Sequence, residues 1–494
     1  MNGYTQRIQP GRPAGDVVIV GGGPVGHRLA ERLHHHGHQG TVTLLDAEPG
    51  HAYHRVLLTS VLDGGLDPAD LELPPVPGAR GRRDVRVTGV DRRRQRVGTA
   101  NGESHRYDTL VLATGAEPRI PAVPGMHTAS GRLIDGITGL RSLADCARVR
   151  GERVVVLGAG PLGVETAVAL RRSGRDVSLV HPGPHPLNRW LDATAGDLLA
   201  RHLVSLGIRV ETGRSAARVE AGELVLDDGG LLTWDTLVCC TGTEPRTELA
   251  RAAGLRVRTG VLVDGEMRTS DPHVRAVGDC AEHPGWFPGL LASGWDQADL
   301  LARTLTGHRS GGRRPRTVLR LRVPGLHLGV LGRPGLHREA GAAEGDVVTF
   351  SDPSRGRYAT LAVDPAGRLS SAVLVGLPQA LATLTQLHDA RRPLPDDRLA
   401  LLLGETAVGR RTSVLPPQDA DTVLCRCNNV TALTLTGAWQ NGSRSLRALA
   451  DTTRVTTGCG TCADQIRELC AQLATAEKPV ARHEPPVDAR ASGR

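Results

Sequence analysis

Lysine is almost missing from this chain of 494 residues. Lys478 is the only one, so the net charge of +8 comes nearly entirely from arginine. That arginine is spread along the chain together with abundant glycine, alanine and proline, which reads as a composition bias and not as a basic groove. Aromatic residues make up only 2%. So few leave no platform on which bases could stack, which argues against nucleic acid as a partner. The cores must rest on Val, Leu, Ala and Ile, and a hydrophobic content of 39% is enough for that. No run of about 18 apolar residues exists, so no membrane span is expected. The opening stretch MNGYTQRIQPGRPAG also lacks the apolar core of a secretory signal. With no export signal, the 9 cysteines point to metal, redox or core roles in a cytoplasmic protein rather than to disulfides.

At a soft prior of about 150 residues per domain the chain holds three domains or more. From Asp16 it reads DVVIVGGGPVGHRLAERL: an apolar strand, a glycine turn, then an amphipathic helix. The turn is Gly21-x-Gly23-x-x-Gly26, with Pro24 inside it, and a second strand, TVTLLD, ends in Asp46. This is the dinucleotide-binding order. The first glycine makes the tight turn, the second lets backbone approach a pyrophosphate, and the third lets helix pack on strand. The helix N-terminus then faces the phosphates. Asp46 stands where a carboxylate can bind a ribose hydroxyl, with Glu48 a close competitor. The run HHHGH at His34–His38 is expected to end that first helix, where protonated histidine suits the dipole.

The pattern repeats in RVVVLGAGPLGVETAVAL, with Gly158-x-Gly160-x-x-Gly163 and Leu162 inside the turn. Two such folds suggest two dinucleotides, one flavin and one nicotinamide. At the end of the following strand, DVSLV, the expected acid is replaced by His181. That removes the best argument for NAD over NADP, and leaves His181 either touching a 2′-phosphate or lying on the surface.

Two further segments, TLVLATGAEP and HVRAVGDCAE, together with the glycine turns, resemble the two-dinucleotide-domain flavoprotein reductases. The resemblance implies that Gly278 and Asp279 approach the flavin ribityl chain and that Ala113, Thr114 and Gly115 pass close to the flavin. It implies that Glu165 orients the nicotinamide and that Gly242, in LVCCTGTEP, lines the cleft between the nucleotides. Disulfide reductases of this fold carry a cysteine pair after the flavin loop. Here that region reads HAYHRVLLTSVL with no cysteine, so no thiol relays electrons from the flavin. Tyr53 and Arg55 fit the pattern Tyr-x-Arg-x-x-Leu, whose arginine sits near the flavin in the family, and His54 between them is expected to be a solvent-facing loop residue.

The phrases GGGPVGHR, AYHRVLL and NRWLDATAGDLLARHLVSLGIRV resemble the front of assimilatory NAD(P)H-nitrite reductase large subunits and of nitrate-reductase electron-transfer subunits. RGRYATLAVDPAGRLSSAVLVG alternates apolar and polar residues, as a small sheet should, and resembles the C-terminal domain of rubredoxin-reductase-like flavoproteins.

Near the end stand Cys425, Cys427, Cys459 and Cys462, in the order C-x-C, a long spacer, C-x-x-C. Four thiolates from two short loops can hold a [2Fe-2S] cluster or a zinc ion. Zinc ribbons use two C-x-x-C arms, and VLCRCNNVT with TGCGTCADQIREL resembles the BFD-like [2Fe-2S] domain, so iron–sulfur is the preferred reading. Cys146, Cys239, Cys240, Cys280 and Cys470 are expected to be core or surface thiols.

The expected fold class is α/β. It comprises two Rossmann-like dinucleotide-binding domains for FAD and NAD(P), a small α+β rubredoxin-reductase-like domain and a small helical BFD-like [2Fe-2S] domain. The expected boundaries are a flexible N-terminus at 1–15, an FAD domain at 16–124 and 235–315, and an NAD(P) domain at 125–234. The third domain follows at 316–405, a linker at 406–421, the cluster domain at 422–475 and a disordered tail at 476–494. NADH or NADPH donates two electrons, a flavin accepts both, and a [2Fe-2S] cluster carries one at a time, so the chain reads as a two-to-one electron converter. No acid–base catalyst is required. The chain ends about thirty residues after Cys462, without the sirohaem half of nitrite reductases, so the expected acceptor is another protein: a nitrate reductase catalytic subunit, or a separate nitrite reductase subunit. Two alternatives stand beside this. One is the FAD/[2Fe-2S] subunit of an amine or opine dehydrogenase or of a cyanide-synthase-like enzyme. The other is a flavin sensor with a structural zinc module and no turnover.

Overall fold

The computed structural model describes residues 15–220, 222–283, 289–308, 317–332, 346–403, 423–425, 430–456 and 462–476. It divides into two units, residues 1–410 and 411–494. The expected linker, the N-terminal arm, nearly all of the tail, Cys427 and Cys459 lie outside the described residues. Among the described residues no helix is long and apolar enough to cross a membrane.

In the larger unit the first sheet runs, edge to edge, Val274–Ala276, Thr109–Leu112, Val17–Val20, Val42–Leu45, Ala79–Arg82, and every pairing is parallel. Parallel strands with helices on their faces are buried on both sides. Val17 and Ile19 accordingly pack with Leu29 and Leu33 of the helix Pro24–His35, whereas Val18 and Val20 pack the opposite way against Leu110, Leu112 and Tyr107. That helix ends within the histidine run, with Arg32, His34 and His35 in its last turn.

The second sheet repeats the first: Arg209–Thr212, Asp176–His181, Arg153–Leu157, Thr236–Cys239, Ile137–Gly139, again all parallel. The boundary expected at residue 235 needs correction. The strand Thr236–Cys239 pairs with Arg153–Leu157 and belongs to this second sheet. An apolar strand beside a glycine turn looks the same in either fold, and only the pairing tells which sheet takes it. The chain crosses between the folds on two short antiparallel strands, Ala116–Pro118 and Thr243–Pro245.

The third sheet is antiparallel and five-stranded: Val318–Val323, Leu326–Gly332, Leu369–Val375, Arg357–Val363, Asp346–Asp352. Its alternation does not separate core from solvent. Val373 and Val375 face a core shared with Leu198, Leu199 and Leu203 of the second nucleotide fold. Ala372 and Leu374 face the helix Pro378–Ala390. Both faces of the inner strands Leu369–Val375 and Arg357–Val363 are covered, so small and hydroxyl residues such as Ser371 and Thr360 are buried as well, while the edge strand Asp346–Asp352 keeps one face exposed.

The smaller unit has a two-stranded ladder, Val423–Cys425 with Val430–Thr431, and helices Ala432–Gln440, Leu446–Thr453 and Ala463–Ala476. Thr431 and Ser445 cap the first two helices by accepting the N–H groups of Thr434 and Ala448. Its core gathers Leu435, Leu449, Val455 and Ile466 around Cys425 and Cys462.

Candidate functional site

Both glycine turns lie at the carboxyl end of the central strand of a parallel sheet, beside the point where the strand order reverses. Open α/β sheets take ligands there. The packing states why the glycines are needed. A Cβ on Gly21 would stand 2.2 Å from the Ala113 carbonyl oxygen, and one on Gly26 would stand 2.0 Å from the Gly21 oxygen. In the second fold a Cβ on Gly163 would meet the Gly158 oxygen at 1.8 Å, and Gly158 itself has φ +100° against Cys240. The helix N-caps Gly23 and Gly160 carry no side-chain cap, and Pro24 and Pro161 occupy the first helical positions. Each helix therefore presents first-turn N–H groups with no side-chain cap bonded to them, which suits an anion. Among the described residues, chain neighbours aside, the only atoms within 4 Å of a Cβ added at Gly23 belong to Arg55, and at Gly160 there are none. A dinucleotide pyrophosphate fits both cradles.

Around the first turn the structure gathers several of the residues singled out in the sequence. Ala113 and Thr114 run against Gly21, Thr114 Oγ1 donates to the Arg246 carbonyl at 2.9 Å, and Gly115 has φ +72°. Asp46 abuts the turn, since a Cβ on Gly22 would meet its Oδ2 at 2.4 Å, and Arg83 Nη1 donates to that oxygen at 2.8 Å. Glu48 is engaged differently. Arg55 Nη2 donates to Oε1 at 2.5 Å and the Tyr53 hydroxyl to Oε2 at 2.7 Å. Burial alone would raise the Glu48 carboxyl, but Arg55 and Tyr53 outweigh it and hold it below its usual range. His54 is buried, at 6% exposure, which corrects the expectation of a solvent-facing residue. The backbone bond from its N–H to the Leu71 oxygen folds the loop inward.

Gly278 has φ +78° and donates its N–H to Gln297 Oε1 at 2.6 Å. Asp279 accepts from Gly289 N at 3.1 Å and forms an ion pair with Arg141. Arg141 was not anticipated. Its carbonyl accepts Arg55 Nη1 at 3.0 Å, so it joins Asp279 to the arginine over the glycine turn. The only local signal was the helix start Ser142-x-x-Asp145 that follows it, which says nothing of a partner 138 residues away.

In the second fold Leu162 is exposed at 37%, beside the bare N-cap. Gly242 has φ +111° and open space around it, and its carbonyl accepts Arg119 N at 2.9 Å. His181 closes the strand Asp176–His181. The Ala159 N–H, within the glycine turn, donates to Nδ1 at 3.4 Å, and Nε2 faces Asn188 Oδ1 at 3.0 Å. The ring therefore lies in the turn rather than on the surface. Burial lowers its pKa against the pull of Asn188, so the imidazole is neutral near pH 7. Glu165 is held by Arg322 at 2.7 Å.

In the smaller unit Cys425 is the last residue of its strand and Cys462 immediately precedes the helix Ala463–Ala476. Both are buried, at 1% and 3% exposure, and neither forms a disulfide. Two thiols converging on one small core, one of them at a helix N-terminus that favours thiolate, fit half of a four-cysteine ligand set. In the larger unit Cys146, Cys239, Cys240 and Cys280 are buried, and burial raises the thiol pKa of each, which makes them inert core groups.

Residues 15–299 match the pyridine nucleotide-disulphide oxidoreductase family, and residues 423–472 match the BFD-like [2Fe-2S] binding domain. The family match implies FAD and NAD(P)H as cofactors, and the domain match implies the iron–sulfur cluster. Over 93% of its length the chain is 28% identical to the assimilatory nitrate reductase electron transfer subunit of Bacillus subtilis (strain 168), of which it spans 60%. It is 30% identical, again over 93%, to the NADH nitrite reductase large subunit of Escherichia coli (strain K12), of which it spans 56%. The ferredoxin reductase of the CYP199A2 system from Rhodopseudomonas palustris superposes with a TM-score of 0.67 at 26% identity, covering 77% of this chain and 95% of that one.

Proposed function

Since this chain belongs to the pyridine nucleotide-disulphide oxidoreductase family, we propose that it takes hydride from NADH or NADPH onto FAD. It then passes electrons one at a time through a [2Fe-2S] cluster to a partner reductase. The observation that carries the reading is the pair of open glycine cradles on two nucleotide folds that pack against each other. The helix Leu58–Leu62, next to Arg55, packs its Leu58 and Leu62 against Val164, Ala167 and Val168 of the helix Pro161–Arg172, and Asp63 pairs with Arg172 at 2.9 Å.

In this reading Gly21, Gly23, Pro24 and Gly26 receive the FAD pyrophosphate, with Arg55 lying over it. Asp46, next to the turn, takes the ribose, and Glu48 serves to aim Arg55. Ala113, Thr114, Gly115, Gly278 and Asp279 line the path toward the flavin ring. Gly158, Gly160, Leu162 and Gly163 receive the nicotinamide dinucleotide, His181 meets its adenosine ribose, and Glu165 and Gly242 lie toward the nicotinamide. The flavin supplies the conversion of a two-electron donor into single electrons; the protein holds the two nucleotides together. Cys425, Cys427, Cys459 and Cys462 hold the cluster. The proposed acceptor is a nitrate reductase catalytic subunit, supported by the name of the B. subtilis relative, which matches 93% of this chain while the chain spans 60% of that relative; a separate nitrite reductase subunit is the second choice.

Anaerobic titration tests the first step. NADH or NADPH is expected to bleach the visible flavin band of the FAD-loaded protein, and an amino acid is not. Bleaching by the amino acid alone would make the chain an amine or opine dehydrogenase subunit. Addition of the nitrate reductase subunit and nitrate should then restore the oxidised band. Restoration only with a nitrite reductase subunit and nitrite would reassign the partner.

A further inference from the structure

Arg322 belongs to the third sheet, on the strand Val318–Val323, yet its side chain reaches both nucleotide folds. Its backbone N–H donates to Glu165 Oε1 at 3.0 Å, its Nε to Oε2 at 3.2 Å and its Nη2 to Oε2 at 2.7 Å. Both carboxylate oxygens are thus fixed, and a planar guanidinium with a backbone donor beside it leaves the carboxylate little rotational freedom. The same Nη2 also donates to the carbonyl of Val56, the neighbour of Arg55. The two side chains are 18% and 11% exposed.

Glu165 lies two residues beyond Gly163 on the helix Pro161–Arg172. Helical side chains lean toward the helix N-terminus, so its carboxylate lies toward the cradle end. Arg322 therefore sits where the nicotinamide-side helix and the flavin-side loop come together. Fastening alone does not account for it. The third sheet is already tied to the second fold by Tyr358 to Asp192 at 2.8 Å, by His202 to the Pro324 carbonyl at 2.7 Å, and by a shared apolar core. A largely buried ion pair adds little to such a contact, because desolvation offsets most of its attraction.

We propose that Arg322 is a positioning residue for hydride transfer: it fixes the Glu165 carboxylate in the orientation that receives the nicotinamide end of the dinucleotide. The third sheet thereby takes part in a reaction whose nucleotides it does not itself carry. The inference rests on the nucleotide assignment given above.

The test compares NAD⁺ with ADP-ribose, which lacks the nicotinamide, by calorimetric titration of FAD-loaded wild-type, Arg322→Met, Arg322→Lys and Glu165→Gln proteins. Flavin content and maximal flavin-reduction rate by NADH are measured on the same samples. Arg322→Met is expected to weaken NAD⁺ binding about five-fold or more, to change ADP-ribose binding less than about two-fold, and to slow flavin reduction about ten-fold. Arg322→Lys, which keeps the charge but not the planar fork, should recover only part of the rate, and Glu165→Gln should reproduce the selective loss. Equal weakening of both ligands, or no change in either, would reduce Arg322 to a structural fastening. Should Arg322→Met lose its flavin, the other two variants decide: wild-type NAD⁺ affinity and rate in Glu165→Gln overturn the proposal. A wild-type protein that binds neither ligand overturns the nucleotide assignment itself, and this inference with it.

Discussion

His181 faces Asn188 across a 3.0 Å contact between Nε2 and Oδ1. Because the Ala159 N–H occupies Nδ1, the proton sits on Nε2 and points at the amide oxygen. The ring is uncharged and both its nitrogens are engaged, so it offers a 2′-phosphate no cation. NADH is therefore expected to be the better donor. Replacing His181 with Arg should move the ratio of kcat/KM values toward NADPH by roughly ten-fold, the worth of one charge-assisted hydrogen bond. Steady-state dye reduction with each nucleotide measures it. A wild-type preference for NADPH, unaltered by the substitution, would contradict the reading.

The two third glycines give a paired prediction. An added methyl at Gly26 or Gly163 collides with a backbone oxygen, at 2.0 Å and 1.8 Å respectively. Backbone cannot yield as a flexible side chain does, and overpacking of this kind costs roughly 1–3 kcal/mol or more. Gly26→Ala should be purified with little FAD. Gly163→Ala should keep its FAD but lose reduction by NADH. Absorbance of the purified proteins and a single anaerobic addition of NADH separate the two. An identical pattern in both variants would mean that the folds are not assigned to different nucleotides.

Much of this was legible because each nucleotide fold compresses its requirement into one local phrase. Gly21 to Gly26 and Gly158 to Gly163 state strand, turn and helix in sequence, and backbone sterics demand those glycines wherever the pattern forms. What stayed hidden was long-range. Arg141 meets Asp279, and Arg322 meets Glu165, across gaps of 138 and 157 residues, and no periodicity carries such a pairing. The strand Thr236–Cys239 was put in the wrong sheet for the same reason: its composition suits either fold, and its partner Arg153–Leu157 is a matter of tertiary pairing. The burial of His54 is hidden for the same reason: a loop histidine suits solvent or core alike, and its backbone bond to Leu71 decides between them.

Several histidines tie stability to pH. Burial, followed by the nearby Arg32, His35, His308 and Arg303, pushes His36 down to about 4, and burial also lowers His27, His38 and His181. Each has a folded pKa below its unfolded value of 6.5. Between those values the unfolded chain binds more protons, so stability rises with pH across the window. Their contribution is complete above about pH 6.5 and is lost as pH falls toward the folded values. Melting temperature should decline from pH 7 to pH 4. The gap between wild type and His36→Gln should shift in favour of the variant at the acid end. A gap that is constant with pH would remove His36 from the account.

Modularity predicts a dissociation of activities. Cys459→Ser removes one of four thiolate ligands and leaves both glycine cradles intact. NADH should still bleach the flavin at close to the wild-type rate, while electron delivery to the partner reductase should fall by at least about two orders of magnitude, since the remaining thiolates no longer complete a Cys₄ set. Equal loss of both activities would show that the cluster domain is needed for the flavin site itself.

The most direct measurement of the central claim is an EPR spectrum of anaerobically purified protein, before and after NADH, with iron and zinc quantified on the same sample. The account predicts two iron atoms per chain and a reduced [2Fe-2S] signal that appears only after the nucleotide is added. Stoichiometric zinc with no signal would contradict it, making the four cysteines a structural clasp and leaving FAD to pass electrons onward directly.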